Sequence, residues 1–104
     1  MTQIVEWAPF SLKEGVAELT MLEAADLIQK EFLGKQEGFI KRELLKGPNN
    51  SWVDVLHWES NEAAEKAMQN VMTSKACQQY FQCMADATKP PLHFEQAKAW
   101  NTSL

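Results

Sequence analysis

The sequence lacks several features that would place it in a common functional class. Its 104 residues include ten Lys or Arg against fourteen Asp or Glu, a formal net charge of −4. The basic residues are scattered singly, and without a basic stripe nucleic acid is not expected as a partner. No stretch approaches the roughly 18 apolar residues of a membrane span. The start of the chain shows no basic segment followed by a long apolar run, so no secretory signal and no membrane partner are expected.

Cysteine is scarce, and the spacing of the two cysteines argues against a disulfide. Cys77 and Cys83 lie six residues apart in a segment that reads as helical. Six residues correspond to about 600° of rotation and about 9 Å of rise, which is too far for an unstrained disulfide. Two free thiols in core positions predict a reducing compartment, the cytoplasm.

The motifs that accompany cofactors and metals are also missing. The sequence has no glycine-rich phosphate loop, no Gly-x-Ser-x-Gly and no cysteine pairs at zinc spacing. His57 and His93 each begin a His-x-Glu pair, which on a strand places imidazole and carboxylate on one face. The two strands are predicted to be separated by a third, roughly 10 Å apart, so one ion could not easily reach both pairs. No metal and no cofactor are therefore predicted.

The most informative stretch that is present runs from Trp52 to Ser60. Read as a strand, it alternates between two faces. One face carries Trp52, Asp54, Leu56 and Trp58, and the other carries Val53, Val55, His57 and Glu59. Because both faces are bulky and largely apolar, this strand is predicted to be central and covered on both sides.

The remaining patterns give a single domain over residues 1–104 with the order β-α-β-β-α-β. The first strand is predicted to lose regular pairing at Pro9, because proline cannot donate to a ladder. A capping box at Thr20 predicts the start of the first helix. Ser60 and Ser74 are predicted to cap two segments of a kinked second helix. The predicted elements are strands 4–10, 39–45, 52–59 and 92–100, with helices 20–32 and 61–84.

This order predicts an α+β fold, the ferredoxin-like βαββαβ arrangement, with a four-stranded antiparallel sheet and both helices on one face. The first strand would lie between the third and the fourth. Both predicted helices lie on one face of the sheet and leave the other face exposed. All four strands nevertheless carry bulky apolar residues on both faces. Since soluble monomers rarely expose such a patch, a twofold copy of the chain is predicted to cover the second face.

Five short segments, spread over nearly the whole chain, carry a family pattern. They are Val5-Glu-Trp, Gln36-Glu-Gly-Phe, Val55-Leu-His-Trp-Glu-Ser, Ser74-Lys-Ala-Cys and Tyr80-Phe. Together they resemble the dimeric α/β-barrel superfamily, and within it the antibiotic-biosynthesis-monooxygenase-like branch. The resemblance implies a homodimer with sheets packed face to face, and a cavity between sheet and helices or near the interface.

The superfamily contains cofactor-independent oxygenases, haem-degrading proteins and muconolactone-isomerase-like enzymes. The haem-degrading branch relies on an Asn in the first strand and on a Trp and a His in the second helix, which this chain lacks. The resemblance implies a monooxygenase-like enzyme without a cofactor that acts on a small apolar, aromatic or enolisable compound. A non-catalytic dimer that binds a small ligand, or one associated with stress, is the alternative.

His57 is the predicted catalytic residue. Among apolar neighbours its charged form is disfavoured, and a neutral imidazole can take a proton from an acidic phenol or enol. The structural alternative is a hydrogen-bonded histidine in the dimer interface. Asp54 lies on the opposite face and is expected to pair with Arg42 or Lys41. The residues predicted to bind substrate are Trp7, Phe39, Trp58, Tyr80, Phe81 and His93, for most of which core packing is the alternative.

Overall fold

The structure, a computed structural model that describes residues 2–101, has the element order predicted from the sequence. Two single-turn 3-10 helices, Leu33–Lys35 and Val71–Thr73, follow the first and the second α-helix. The seven longer elements are β1 (Ile4–Ser11), α1 (Glu18–Glu31), β2 (Phe39–Lys46), β3 (Ser51–Trp58), α2 (Asn61–Asn70), α3 (Lys75–Phe81) and β4 (Leu92–Glu95).

The four strands form one antiparallel sheet in the order β2-β3-β1-β4. This order confirms the predicted ferredoxin-like α+β fold and the position of β1 between β3 and β4. Within residues 2–101, no helix is both long and apolar enough to cross a membrane.

The hydrophobic core lies between the sheet and the helices. Trp58, Met21 and Cys77 are its most deeply buried side chains. Burying a large apolar side chain contributes about 1.5–3 kcal/mol relative to leaving it in water. The core members include Ile4, Phe10, Trp52, Leu56 and Trp58 from the sheet, and Met21, Ala25, Ile28, Ala64, Ala67, Cys77 and Tyr80 from the helices.

Both cysteines are buried as free thiols, as predicted. Burial raises the pKa of Cys77, an effect that a hydrogen bond with Ser74 partly offsets, and burial also raises the pKa of Cys83. Both thiols are therefore held in the protonated, unreactive form.

Two of the three predicted helix caps are confirmed, and one is wrong. The Ser60 hydroxyl accepts a hydrogen bond from the Ala63 amide at 3.1 Å, and the Ser74 hydroxyl accepts one from the Cys77 amide at 3.2 Å. The capping box at Thr20 does not form, because α1 begins two residues earlier at Glu18. The preceding Ala17 supplies no side-chain cap, and the helix-forming residues around it extend the first turn.

Two predicted strand limits are also wrong, and in both cases the extent of pairing between β1 and β4 explains the difference. β1 continues through Pro9 to Ser11. Since β4 pairs only with residues 4–7 of β1, Pro9 needs no donor on that side. β4 ends at Glu95 rather than at Trp100, because its partner Ile4 is the first residue of β1 and little remains to pair with beyond it.

One predicted face assignment is wrong as well. A bulge between Phe39 and Lys41 shifts the register of β2, so Phe39 lies opposite Trp58 on the helix-facing side. Its ring meets the Trp58 ring edge-on, with centroids 5.5 Å apart. Strict alternation along the predicted strand 39–45 places Phe39 with Lys41, Glu43 and Leu45 on the other face.

The sheet face away from the helices is here called the outer face. It is largely apolar but carries a charged strip formed by Lys41, Glu43 and His57, and the strand register defines its members. They are Val5, Trp7, Pro9, Lys41, Glu43, Leu45, Val53, Val55, His57, Leu92 and Phe94. Trp7, Leu45, Leu92 and Phe94 are more than one-third exposed, so residues 2–101 of one chain leave this face uncovered.

Substitution of Ser60 by Ala should destabilise the protein by about 1 kcal/mol, or roughly 4–8 °C in Tm for a domain of this size. The cause is loss of the acceptor for the Ala63 amide. Thr20→Ala is the matched control. Because Thr20 lies inside α1 and caps nothing, that change should be neutral or slightly stabilising. Thermal unfolding measures both, and a larger loss from Thr20→Ala than from Ser60→Ala would contradict the cap assignment.

Candidate ligand-binding site

A cleft of about 630 Å³ lies between α1 and β2, on the helix-facing side of the sheet. Its volume falls within the range of about 300–1,000 Å³ that is typical of small-molecule sites. Five of its nine lining side chains are apolar. The lining consists of Leu22, Ala25, Asp26, Gln29, Phe39, Ile40, Lys41, Arg42 and Leu44.

Arg42, in the lining of this cleft, is held by a buried ion pair with Asp54. Its Nε and Nη2 donate to the two Asp54 carboxylate oxygens at 2.6 and 2.9 Å, and both side chains are more than nine-tenths buried. Its Nη1 donates to the Ala25 carbonyl at 2.9 Å, which anchors the guanidinium to α1. Burial opposes the charge, but the bonds and charge of Asp54 outweigh it and raise the pKa of Arg42. Arg42 therefore stays charged.

Tyr80 completes this cluster from α3. Its hydroxyl donates to Asp54 Oδ2 at 2.6 Å, and the Arg42 Cζ lies 5.3 Å from the centre of its ring. Burial and the charge of Asp54 raise the pKa of Tyr80 well above its ordinary value. Tyr80 is thus a neutral hydrogen-bond donor, and Asp54 accepts three hydrogen bonds from side chains within the described residues.

A second polar cluster lies on the same side of the sheet, near β4. The Trp58 indole donates to Glu6 Oε1 at 3.1 Å, and His93 Nε2 lies 3.3 Å from the same oxygen. Burial raises the pKa of Glu6, and the nearby His93 and the Trp58 N–H partly counter this effect. This cluster is separate from the cleft, whose lining includes none of the three residues.

His57, the predicted base, lies on the outer face. Its Nε2 is 3.0 Å from Glu43 Oε1, and its buried Nδ1 has no hydrogen-bond partner among the described residues. Asp54 lies on the other face of β3, as the alternation predicted. One chain therefore does not bring His57 to the cleft between α1 and β2.

The residues predicted to bind substrate are dispersed. Phe39 lines the cleft, and Trp58 packs behind it. Tyr80 reaches the cleft only through Asp54 and Arg42, and Phe81 packs beside Tyr80 with ring centroids 6.3 Å apart. Trp7 lies on the outer face, and His93 beside Glu6.

The sequence-based reasoning missed the contribution of α1 to the cleft. Leu22, Ala25, Asp26 and Gln29 were not among the predicted site residues. The available signal was that Asp26 and Gln29 are polar residues interspersed among the apolar positions of α1. Arg42 and Lys41 were the two predicted partners for Asp54, and the pairing with Arg42 is confirmed.

Metal ligands do not cluster in the part of the chain that the structure describes, where no group of three or more His, Cys, Asp or Glu could hold an ion. His57 and His93 lie on opposite faces of the sheet, so the two His-x-Glu pairs cannot meet. A smaller groove of about 240 Å³ near α2 is lined mainly by charged and amide side chains, including Lys35, Glu37, Lys66 and Asn70.

Comparison with solved structures identifies the fold. A candidate antibiotic biosynthesis monooxygenase from Bordetella bronchiseptica superimposes with a TM-score of 0.75 at 16% identity, covering 96% of this chain and 100% of that one. SnoaB, a cofactor-independent oxygenase from Streptomyces nogalater, gives 0.69 at 16% identity, covering 98% and 97%. The monooxygenase from the gene ActVA-Orf6 of Streptomyces coelicolor, solved with nanaomycin D, gives 0.67 at 16% identity, covering 98% and 94%.

No protein-family model matches the chain, and no curated protein matches it significantly. The structural likeness nevertheless extends over nearly the whole chain. The protein therefore has the fold of the antibiotic-biosynthesis-monooxygenase-like proteins, as the sequence resemblance implied.

Raising the pH should destabilise the wild-type chain relative to Glu6→Gln. The pKa of Glu6 is raised on folding, so its contribution to stability is complete below about pH 4.5 and is lost as the pH rises through the folded-state pKa. Urea unfolding at about pH 4 and about pH 7 measures the difference, and Glu14→Gln in the exposed loop before α1 is the control. An equal difference at both pH values would contradict the burial of the Glu6 charge.

Proposed function

We propose that this protein is a monooxygenase-like enzyme that works without a cofactor on a small apolar, aromatic or enolisable compound. The substrate lies in the cleft between α1 and β2. The observation that carries the proposal is a cleft of ligand size with a mainly apolar lining and one buried, fixed guanidinium, that of Arg42. An apolar wall with few polar groups that fix orientation is the usual composition of a small-molecule site.

Arg42 orients the substrate and favours its anion. A guanidinium carries five N–H donors, and the bonds to Asp54 and Ala25 use three of them, which leaves one on each terminal nitrogen. A phenol or enol oxygen that accepts from these donors lies beside a fixed positive charge. An opposite charge at hydrogen-bond distance favours the ionised form, so the phenolate or enolate forms more readily in the cleft than in water.

Asp26 is the group we assign to accept the proton. It supplies the one carboxylate in the described lining of the cleft. It follows Ala25, whose carbonyl accepts from Arg42, so the same turn of α1 presents an anchored guanidinium and a carboxylate. Acceptance of the proton by a positioned side chain is general base catalysis.

The reaction that follows needs only dioxygen. The substrate anion transfers electrons to O2, the reactive carbon forms a bond to oxygen, and loss of water leaves a carbonyl group. In a methylene compound the CH2 group becomes C=O, and the second oxygen atom leaves in the water. Support for this chemistry comes from the structural relatives, which include a cofactor-independent oxygenase and a monooxygenase solved with the ligand nanaomycin D.

Asp26→Asn should lower kcat for oxidation of anthrone, a probe with an acidic CH2 group, by roughly 100-fold or more, the usual contribution of a general base. Oxygen uptake and formation of anthraquinone are the measurements. Glu23→Gln is the matched control, because Glu23 is exposed on the same helix outside the cleft lining. His57→Ala should retain turnover. If His57→Ala abolishes turnover and Asp26→Asn does not, His57 is the base, as predicted from the sequence.

Ligand binding without chemistry is the second candidate function. One observation favours it, since neither histidine in the chain lies in the cleft and Asp54 and Tyr80 are fully engaged with Arg42. This function predicts saturable binding of anthrone without oxygen uptake in the wild-type protein. That result would exclude the enzymatic proposal for this class of compound.

The outer face supports assembly of the protein as a homodimer. Exposed Trp7, Leu45, Leu92 and Phe94 give this face an apolar surface, which soluble monomers rarely leave uncovered. Its charged strip carries both signs, Lys41 and Glu43, so a twofold copy can place opposite charges together. Lys41 belongs both to the lining of the cleft and to the outer face, so a partner on the outer face would lie next to the cleft.

Phe94→Asp should weaken this dimer roughly tenfold or more, because it buries an unpaired charge in the interface. Sedimentation equilibrium should give the wild-type protein twice the 11.8 kDa mass of one chain. The control is Leu19→Asp, which introduces the same charge at a side chain that is 67% exposed on α1. A monomeric wild-type protein, or equal weakening by both variants, would contradict the use of the outer face.

A further inference from the structure

Gln29 presents an unusual feature in the cleft. Its side chain belongs to the lining, yet its Oε1 is buried and accepts no hydrogen bond from residues 2–101. Buried acceptors without a donor are rare in folded proteins, and each calls for a specific explanation. A chain under selection for stability alone would be expected to place an apolar side chain there.

Gln29 and Arg42 have complementary hydrogen-bonding capacity. Arg42 offers N–H donors and cannot accept, whereas Gln29 Oε1 is an acceptor with unused capacity. The two residues belong to different elements, α1 and β2, and both line the same cleft. The last torsion of a glutamine is broad, so the amide can turn Oε1 toward an occupant at little cost.

We infer that Gln29 is a specificity-determining residue that selects ligands with a hydrogen-bond donor beside a carbonyl oxygen. In the bound state the ligand carbonyl accepts from Arg42, and its neighbouring N–H or O–H donates to Gln29 Oε1. The flat remainder of the ligand packs on Leu22, Phe39 and Leu44. This inference rests on the proposed function, because it requires the cleft to be the ligand site.

The chemistry predicts a graded preference among ring compounds of one size. A lactam such as 2-quinolone has adjacent C=O and N–H groups on a flat apolar frame. Its N-methyl derivative keeps the ring and the carbonyl but loses the donor, so bound N-methyl-2-quinolone would leave Gln29 Oε1 buried and unpaired. Sites built to bond a donor reject analogues that lack it, because a buried polar group remains without a partner.

The test compares binding of 2-quinolone and N-methyl-2-quinolone to the wild-type protein and to Gln29→Met. The wild-type chain should bind 2-quinolone roughly tenfold more tightly than the N-methyl compound, the usual value of one hydrogen bond. Gln29→Met should lose most of this preference. Steric exclusion of the methyl group would instead leave the preference unchanged in the variant. Titrations followed by NMR report both affinity and location, through the methyl signals of Leu22 and Leu44.

Thermal stability gives a second readout that a structural role would not produce. Gln29→Met removes an unpaired buried acceptor and keeps a long, helix-forming side chain, so its Tm should equal or exceed that of the wild type. Lys30→Met, at an exposed position of α1 outside the cleft lining, is the matched control and should alter neither binding nor selectivity.

The outcomes separate this inference from the proposed function. Equal binding of both compounds at the Leu22 and Leu44 signals would overturn the role of Gln29 while leaving the cleft as the ligand site. Absence of any shift at these signals would overturn both the role of Gln29 and the use of the cleft for such compounds. If Gln29→Met keeps the preference for 2-quinolone over N-methyl-2-quinolone, the assignment of Gln29 is overturned as well. If the variant loses this preference while its Tm does not fall, the assignment is supported.

Discussion

The buried ion pair between Arg42 and Asp54 is the interaction on which the helix-facing layer depends. Taking two charges out of water costs several kcal/mol per ion. Their mutual attraction and well-aligned hydrogen bonds must offset that cost. Here Asp54 accepts two bonds from Arg42 and one from Tyr80, while Arg42 also donates to the Ala25 carbonyl. One pair thus joins β2 and β3 to α1 and α3. Removal of either partner would leave an uncompensated buried charge, which typically costs about 3–5 kcal/mol.

The same pair explains why the cleft has a fixed polar group in an apolar wall. A free arginine would lose much of its conformational entropy on holding a ligand, whereas Arg42 is already immobilised by three hydrogen bonds. Its remaining donors therefore point in directions set by the fold.

The fold could be predicted because strand alternation depends only on local sequence. Alternation placed Asp54 with Trp52 and Trp58, which narrowed its predicted partner to Arg42 or Lys41, and the structure shows that the partner is Arg42. The errors arose where a neighbouring element decides the outcome. β4 stops at Glu95 because β1 begins at Ile4, and a one-residue bulge moves Phe39 to the helix-facing side. The cleft itself depends on how far α1 stands from the edge strand β2, which no local periodicity specifies.

The two sheet faces differ in how their polar side chains are paired. On the helix-facing side every bond of Asp54 is made within one chain, which gives rigidity and leaves Arg42 partly available. On the outer face the charged strip of Lys41, Glu43 and His57 interrupts apolar neighbours, so only a partner with matched charges can cover it well. Lys41 links the two surfaces, because it belongs to the outer face and also lines the cleft between α1 and β2.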